Sequence, residues 1–402
     1  MSKTISGTGR IKMILLIGAL GMLQPFTIDP YIPSLPAVSD DLAVDPGLIQ
    51  LTLSAVSLGF AFGMLLSGPV SDAIGRKRPM LIALAIYIAS SLLCAMAPGL
   101  EVFFAARILQ GLSGAALTVI GNAMLRDLYT GMPLLKIMSR VMLINAASWF
   151  LGPLIGSGFL QFTDWRGISL FVAIFAGLLG VIAFLTLPET LKSDSRRDEI
   201  FKGMGKRFRN VLRDRSYTGL LIIQMLISAS VFGYLSVTPF VFANTFDVPA
   251  TEVGLYLGLN SFGAYLGIQA SSKLAQYIPA QWLLTGSLIL AAIVGLLLIV
   301  ASNAQANFWT IEGLIFSWLV LFGATNTPVN ALALSPHGSE AGTAASLIGA
   351  VGFLGTAMAG PYYTTLDKFS AVGVGTTWLI FMVIAIVVMF VVVRPNKIKP
   401  LQ

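Results

Sequence analysis

The eleven residues from Gly68 to Arg78, GPVSDAIGRKR, decide the fold through what surrounds them. Two long apolar stretches, 48–70 and 79–98, meet there at one acid, Asp72, one potential helix breaker, Gly75, and three adjacent cations, Arg76, Lys77 and Arg78. A helix needs about 20 apolar residues to cross a ~30 Å hydrocarbon layer. A short cationic hinge between two such runs therefore reads as a turn at a membrane surface.

Runs of the same kind recur on both sides of it, and twelve spans are expected: 11–31, 48–70, 79–98, 102–125, 136–160, 168–187, 217–243, 251–274, 280–302, 308–332, 341–365 and 371–393. Composition agrees, with 56% hydrophobic residues, 11% charged and a mean hydropathy of +0.84. Membrane-barrel strands would be about 10 residues long and would alternate apolar with polar, which these runs do not. The fold class is all-α. The first run is long for a signal-peptide core and lacks a small-residue cleavage site after it, so the first span is expected to stay. Cys94 is the single cysteine and lies in an apolar run, which excludes a disulfide and a cysteine metal cluster and leaves packing.

Charge sets the expected topology. With loops assigned alternately to two sides, every one of the 25 Lys and Arg except Arg107, Arg166 and Lys368 falls on one side. The net charge of +7 is thus a membrane-orientation signal, not a nucleic-acid footprint, and both termini are expected in the cytoplasm. The longest polar stretch, 188–216, splits the chain into a six-span bundle over 1–187 and another over 217–402. It reads chiefly as a solvated cytoplasmic linker, with room for a short amphipathic surface helix around 201–212. Gly152-Pro153 in the fifth span returns as Gly360-Pro361 in the eleventh, a trace of duplication.

Ionisable residues inside the spans are scarce: Asp29, Arg107 and, about a turn inside the tenth span, Glu312. A mid-bilayer charge costs about 2.5–3.5 kcal/mol on insertion scales and so faces protein or a wet cavity. Counted at ~1.5 Å per residue, Asp29 lies ~27 Å from the basic surface and Arg107 ~8 Å from the other, which brings both to similar depth. Enzyme readings find little support. His337 is the one histidine, read as a solvated loop residue. Clustered metal ligands, a nucleophile elbow and a phosphate-binding loop are not apparent, so no cofactor is expected and energy should come from an ion gradient.

These motifs resemble a known family. Gly68, Asp72, Gly75, Arg76 and Lys77 stand as in motif A of the major facilitator superfamily, and Arg107, Gln110, Gly111 and Gly114 stand as in its motif B. Gly152, Pro153, Gly156 and Gly158 resemble the antiporter motif C, with Ser157 interrupting its usual Gly-Gly ending. TIDPYIPSLP around Asp29, Arg126-Asp127 after the fourth span, GPLIG at 152–156 and AGTAAS at 341–346 are similar to the Bcr/CflA branch of drug:proton antiporters. The resemblance covers essentially the whole chain.

The resemblance implies two pseudo-symmetric six-helix bundles, a small-molecule substrate held between them and a monomer in a bacterial inner membrane. It implies proton-coupled export of drug-like molecules or metabolites; the alternative is proton-driven uptake of a sugar, organic acid or siderophore component. Asp29 is the expected proton carrier, tuned by Arg107, against the plainer alternatives of a helix-ending cap and a structural ion pair. Gly68, Asp72, Gly75, Arg76, Lys77, Arg126 and Asp127 are the expected conformational latch, with the start of span eleven near 339–342 as its partner. Gly111, Gly114, Gly152, Pro153, Gly156, Gly360 and Pro361 are expected to allow close helix packing. Gln24, Tyr31, Gln110, Asn122, Asn145, Gln224, Tyr234, Asn260, Asn326 and Asn330 are the candidate substrate contacts.

Overall fold

The computed structural model describes residues 7–196, 204–365 and 370–398, and those residues contain helices and no strand. Twelve helices are long: α1 (Gly7–Phe26), α3 (Pro46–Ile74), α4 (Lys77–Ala95), α5 (Leu100–Leu128), α6 (Gly131–Phe159), α7 (Trp165–Thr186), α9 (Arg215–Phe246), α10 (Ala250–Leu274), α11 (Ala280–Asn303), α12 (Phe308–Leu334), α13 (Ala341–Thr365) and α14 (Ala371–Val388). Two are short, α2 (Leu35–Asp41) and α8 (Met204–Leu212). Ten of the long helices are apolar enough over a sufficient length to cross a membrane. The other two are α1, whose described apolar part is Met13–Phe26, and the more polar α10.

Local chemistry sets the helix starts. Asp45, Asp164, Asp214 and Asn307 each accept a hydrogen bond from a free backbone N–H two or three residues on, at 2.7–3.0 Å. Gly75 ends α3 with a φ of +97°, a conformation that disfavours any residue with a Cβ, which explains the glycine in the basic turn.

The same crossing is built once in each half. A Cβ on Gly59 of α3 would strike the Ile108 carbonyl, and one on Gly111 of α5 the Val56 carbonyl. In the second half a Cβ on Gly267 of α10 would strike the Val320 carbonyl, and one on Gly323 of α12 the Ala264 carbonyl. Small residues thus bring the α3–α5 and α10–α12 backbones into contact. Gly114 is looser: its nearest neighbour, the Phe60 ring, stands 3.2 Å from a Cβ placed there.

The halves meet along two helix pairs, α3 with α13 and α6 with α10. Phe60 and Phe353 pack as a tilted ring pair with centroids 4.8 Å apart, Gly360 receives Ser54, and Gly349 receives Met64. Farther from the basic turns, Gln50 donates to the Ser236 carbonyl at 3.1 Å. There too Ser157 Oγ donates to the Ala250 carbonyl and accepts from the Gly254 N–H, both at 2.8 Å. The interface is therefore sealed at the end opposite the basic turns. At the basic end a cleft of ≈ 370 Å³ lies between α3, α5, α8 and the start of α13.

Two expectations change. The linker is not simply solvated, because α8 seats Val211 in the core and Phe208 against it, and Asn210 donates to Glu340 at 3.2 Å. His337 is not a solvated loop residue: it lies edge-on to Tyr217 with centroids 5.1 Å apart, and its Nε2 sits 3.3 Å from Asp214. Lys368 and residues 201–203 lie outside the described residues.

At the end opposite the basic turns, Arg166 pairs with Asp41 and stacks 4.3 Å over Trp165, whose indole also donates to Asp41 at 3.2 Å. The Arg166 hydrogen bond holds the Asp41 carboxyl below the ordinary carboxylate range. Because the folded value is depressed, this contribution is fully present above the ordinary value and is lost as pH falls through the lowered one. The melting temperature of detergent-solubilised protein should therefore fall below about pH 4, and Asp41→Asn should shrink that fall while leaving pH 6–8 flat. In the same assay Gly111→Val should destabilise by about 1–3 kcal/mol through overpacking. Gly68→Ala should be neutral, since nothing lies within 4 Å of a Cβ there.

Candidate functional site

Three prolines shape the first element of the site. Helix α1 stops at Phe26, five residues short of the expected span end, and Thr27 to Tyr31 form turns leading into a 3-10 turn over Ile32–Ser34. Pro30 has no N–H to continue the ladder, and the Tyr31 N–H turns back to the Ile28 carbonyl at 3.0 Å. The Thr27 carbonyl is left outside the helical pattern, and Arg107 of α5 reaches it through Nη1 at 2.7 Å.

Arg107 is 3% exposed, lies 4.4 Å from the Tyr31 ring centroid and 5.7 Å from that of Phe103, and also donates to Gln110 Oε1 at 2.9 Å. Its Nε and Nη2 have no partner. The expected approach of Arg107 to the Asp29 carboxyl is not made in this conformation, because the guanidinium is committed to a backbone carbonyl two residues away. Tyr87 completes the brace, donating to the Leu23 carbonyl at 2.7 Å and lying 2.9 Å from the Thr27 hydroxyl.

Asp29 projects from this break toward α6. A Cβ on Gly152 would meet the Asp29 Cβ at 2.5 Å, and one on Gly156 would strike the Pro30 carbonyl. The motif C glycines thus form the recess that admits the Asp29 turn. Asp29 Oδ2 is buried and has no hydrogen-bond partner. On the far side of the interface stands Tyr234 of α9, close enough for the Asp29 charge to act on its hydroxyl.

The candidate substrate contacts divide by surroundings. Gln110 is tied into the first half, accepting from Arg107 and donating to Ser91 at 2.9 Å, and Tyr31 lies under Arg107. Tyr234 and Asn260 are buried, with the tyrosine hydroxyl and both amide atoms unpartnered. Gln24, Asn122, Asn145, Gln224, Asn326 and Asn330 are half-buried. Among them, Asn330 donates to Asn326 Oδ1 at 3.1 Å, Gln224 to Ser228 at 3.2 Å, and Asn145 lies against Gly21.

At the basic turn Arg76 is the hub. Its Nη1 donates to Asp72 at 2.6 Å and to Ser71 at 2.7 Å, and its Nε donates to Asp127 at 2.9 Å. Thr190 also donates to Asp127, at 3.0 Å. Glu189 accepts from the backbone N–H groups of Arg76 at 2.8 Å and Lys77 at 3.3 Å, while Lys77 Nζ donates to the Phe184 carbonyl at 3.2 Å. These links join α3, α5 and the segment after α7, all within the first half. Arg126 and the start of α13 line the adjoining cleft. Glu189 was hidden in the sequence by its place in a polar linker; its one signal is that it follows the sixth span directly.

Comparison with known proteins is consistent with this geometry. The model of the Major Facilitator Superfamily matches residues 15–360. An uncharacterized MFS-type transporter of Bacillus subtilis, YdgK, is 31% identical over 96% of this chain and 96% of its own. A bicyclomycin resistance protein homolog of Haemophilus influenzae is 27% identical over 89% of this chain and 90% of its own. The crystal structure of a D-xylose-proton symporter superposes with a TM-score of 0.79 at 16% identity, covering 97% of this chain and 100% of that one, a likeness of fold. The chain belongs to the Major Facilitator Superfamily and is a membrane transporter, not an enzyme.

Proposed function

We propose that this transporter is a proton-coupled exporter of small drug-like molecules or metabolites in a bacterial inner membrane. It needs no resident cofactor and works as a monomer with both termini in the cytoplasm. The observation that carries the reading is Asp29: a carboxyl on a proline-broken helix end, recessed against α6, with one oxygen unpartnered where the two halves meet. A group in that position is wetted when the halves part and dry when they close, so its protonation and the direction of opening are linked. The name of the Haemophilus relative supports export.

In this reading the basic turns are cytoplasmic and the conformation is inward-facing, sealed outside through Gln50, Ser157 and the α3–α13 pair. The half-buried side chains Gln24, Asn122, Asn145, Gln224, Asn326 and Asn330 contact substrate, and Arg107 holds Asp29 in place through the backbone. The Arg76 hub keeps the cytoplasmic ends of α3 and α5 together, so that Asp72 and Arg126 present a preformed face to the start of α13 when that end closes.

In an efflux-deficient bacterium, expression of the chain should confer resistance to several unrelated compounds, and an uncoupler should remove it. Asp29→Asn should return susceptibility to that of the empty host with expression unchanged; undiminished resistance would remove Asp29 from the cycle. The latch divides into two roles. Asp127→Asn should lower the melting temperature, because it weakens one of the charged hydrogen bonds of Arg76, each worth about 1.5–3 kcal/mol, while Asp72 still pairs the guanidinium. Arg126→Glu, on the cleft wall, should leave the melting temperature unchanged but cut export about tenfold, which corresponds to ~1.4 kcal/mol on the closing step.

A further inference from the structure

The second half holds a buried acid to which the proposed cycle assigns no role. Glu312 lies about 6 Å along α12 from Phe308, is 3% exposed, and has no hydrogen-bond partner for either carboxyl oxygen. Asn260 of α10 lies beside both this carboxyl and the Tyr234 hydroxyl. Its amide oxygen and nitrogen and the Tyr234 hydroxyl also lack partners of ordinary geometry. The Tyr234 hydroxyl is within electrostatic reach of both Glu312 and Asp29.

Among the described residues nothing nearby compensates a negative charge. At this end the titratable groups on helices packed against α12 are Tyr234 of α9, Glu252 and Tyr256 of α10, and Tyr362 and Tyr363 of α13; α11 contributes none. The described cations of the second half, Lys273, Arg394 and Lys397, all belong to the basic end. An ionised carboxylate sealed in such a place bears a desolvation cost of several kcal/mol with no Coulombic return. The carboxylic acid instead has an O–H to donate and a carbonyl to accept, which matches the unpartnered amide and phenol beside it.

We propose that Glu312, with Asn260 and Tyr234, is a second proton-binding site, and that the end of the molecule opposite the basic turns closes over it only when the acid carries its proton. The proton passes from water to a Glu312 oxygen while that end is open and returns to the same water when it reopens. The site therefore gates closure without adding to the protons carried across. The inference rests on the exporter reading only in that the two ends open alternately.

The test uses the purified full chain in lipid nanodiscs with no substrate, spin-labelled at Phe162→Cys and Asn303→Cys in a Cys94→Ser background. The labels flank the sealed end, one on each half. Electron-resonance distances should shift from short to long as pH rises from 5 to 9. Glu312→Gln, a neutral isostere, should hold the short distance at every pH, and Asp29→Asn should leave a pH response. Should Glu312→Gln not fold, Glu312→Asp decides, with a titration retained but its midpoint displaced by about one pH unit, a tenfold change in proton affinity. Wild type without a pH response, Glu312→Gln titrating like wild type, or Glu312→Asp with an unmoved midpoint would each overturn the proposal. Resistance is measured separately, so failure of export and failure of this gate are distinguishable.

Discussion

Inside hydrocarbon, a backbone carbonyl released from its helix must find a donor or carry the cost of being unsatisfied. The prolines after α1 release the Thr27 carbonyl, and the Arg107 guanidinium, braced by Gln110 and the Tyr31 ring, supplies the donor. Much of the site follows from that one bond. It permits α1 to end early, fixes the turn that bears Asp29, and commits Gln110 and Ser91 to the interior of the first half. Arg107 here acts on the acid through the main chain: it sets where the carboxyl is, while the charge itself stays bonded elsewhere.

The same constraint separates the interior of each half from the surface between them. Within the halves, α3 meets α5 and α10 meets α12 backbone to backbone through glycines, and shifting either crossing would drive Cβ-sized groups into carbonyls. Between the halves the contacts are one tilted ring pair, side chains seated on glycines, a few single hydrogen bonds and a single close backbone approach, Gly254 against the Pro153 carbonyl. Contacts of the first kind permit one geometry, and contacts of the second kind can be broken and remade. That contrast lets two bodies rock without deforming.

Much of the fold was legible because long apolar runs in lipid have one outcome, and the cationic turns mark where one span ends and the next begins. The span containing Asn260 was readable from its place in the series although α10 is the less apolar of its neighbours. What escaped were partnerships made by distant segments. Asp127 bonds Arg76 from 51 positions away, a pairing that the local pattern of the sequence does not show. Glu189 looks like any linker acid until the Arg76 and Lys77 amides are seen to converge on it. Depth counting brought Asp29 and Arg107 to one level, but it could not tell a carboxyl from a carbonyl two residues away as the guanidinium's target.

Ser157 interrupts the glycine pattern of its helix, and by sequence alone this weakens the match to an antiporter motif. In three dimensions its hydroxyl spans the gap to α10, donating a hydrogen bond to one peptide group and accepting one from another. Each such bond contributes about 1 kcal/mol net, so a glycine at this point would tilt the balance between the two resting shapes by roughly one order of magnitude or more toward the opened one. A single oxygen atom thus helps set how much of the time the molecule keeps its back shut, and a lineage can retune that share without touching any group that handles cargo.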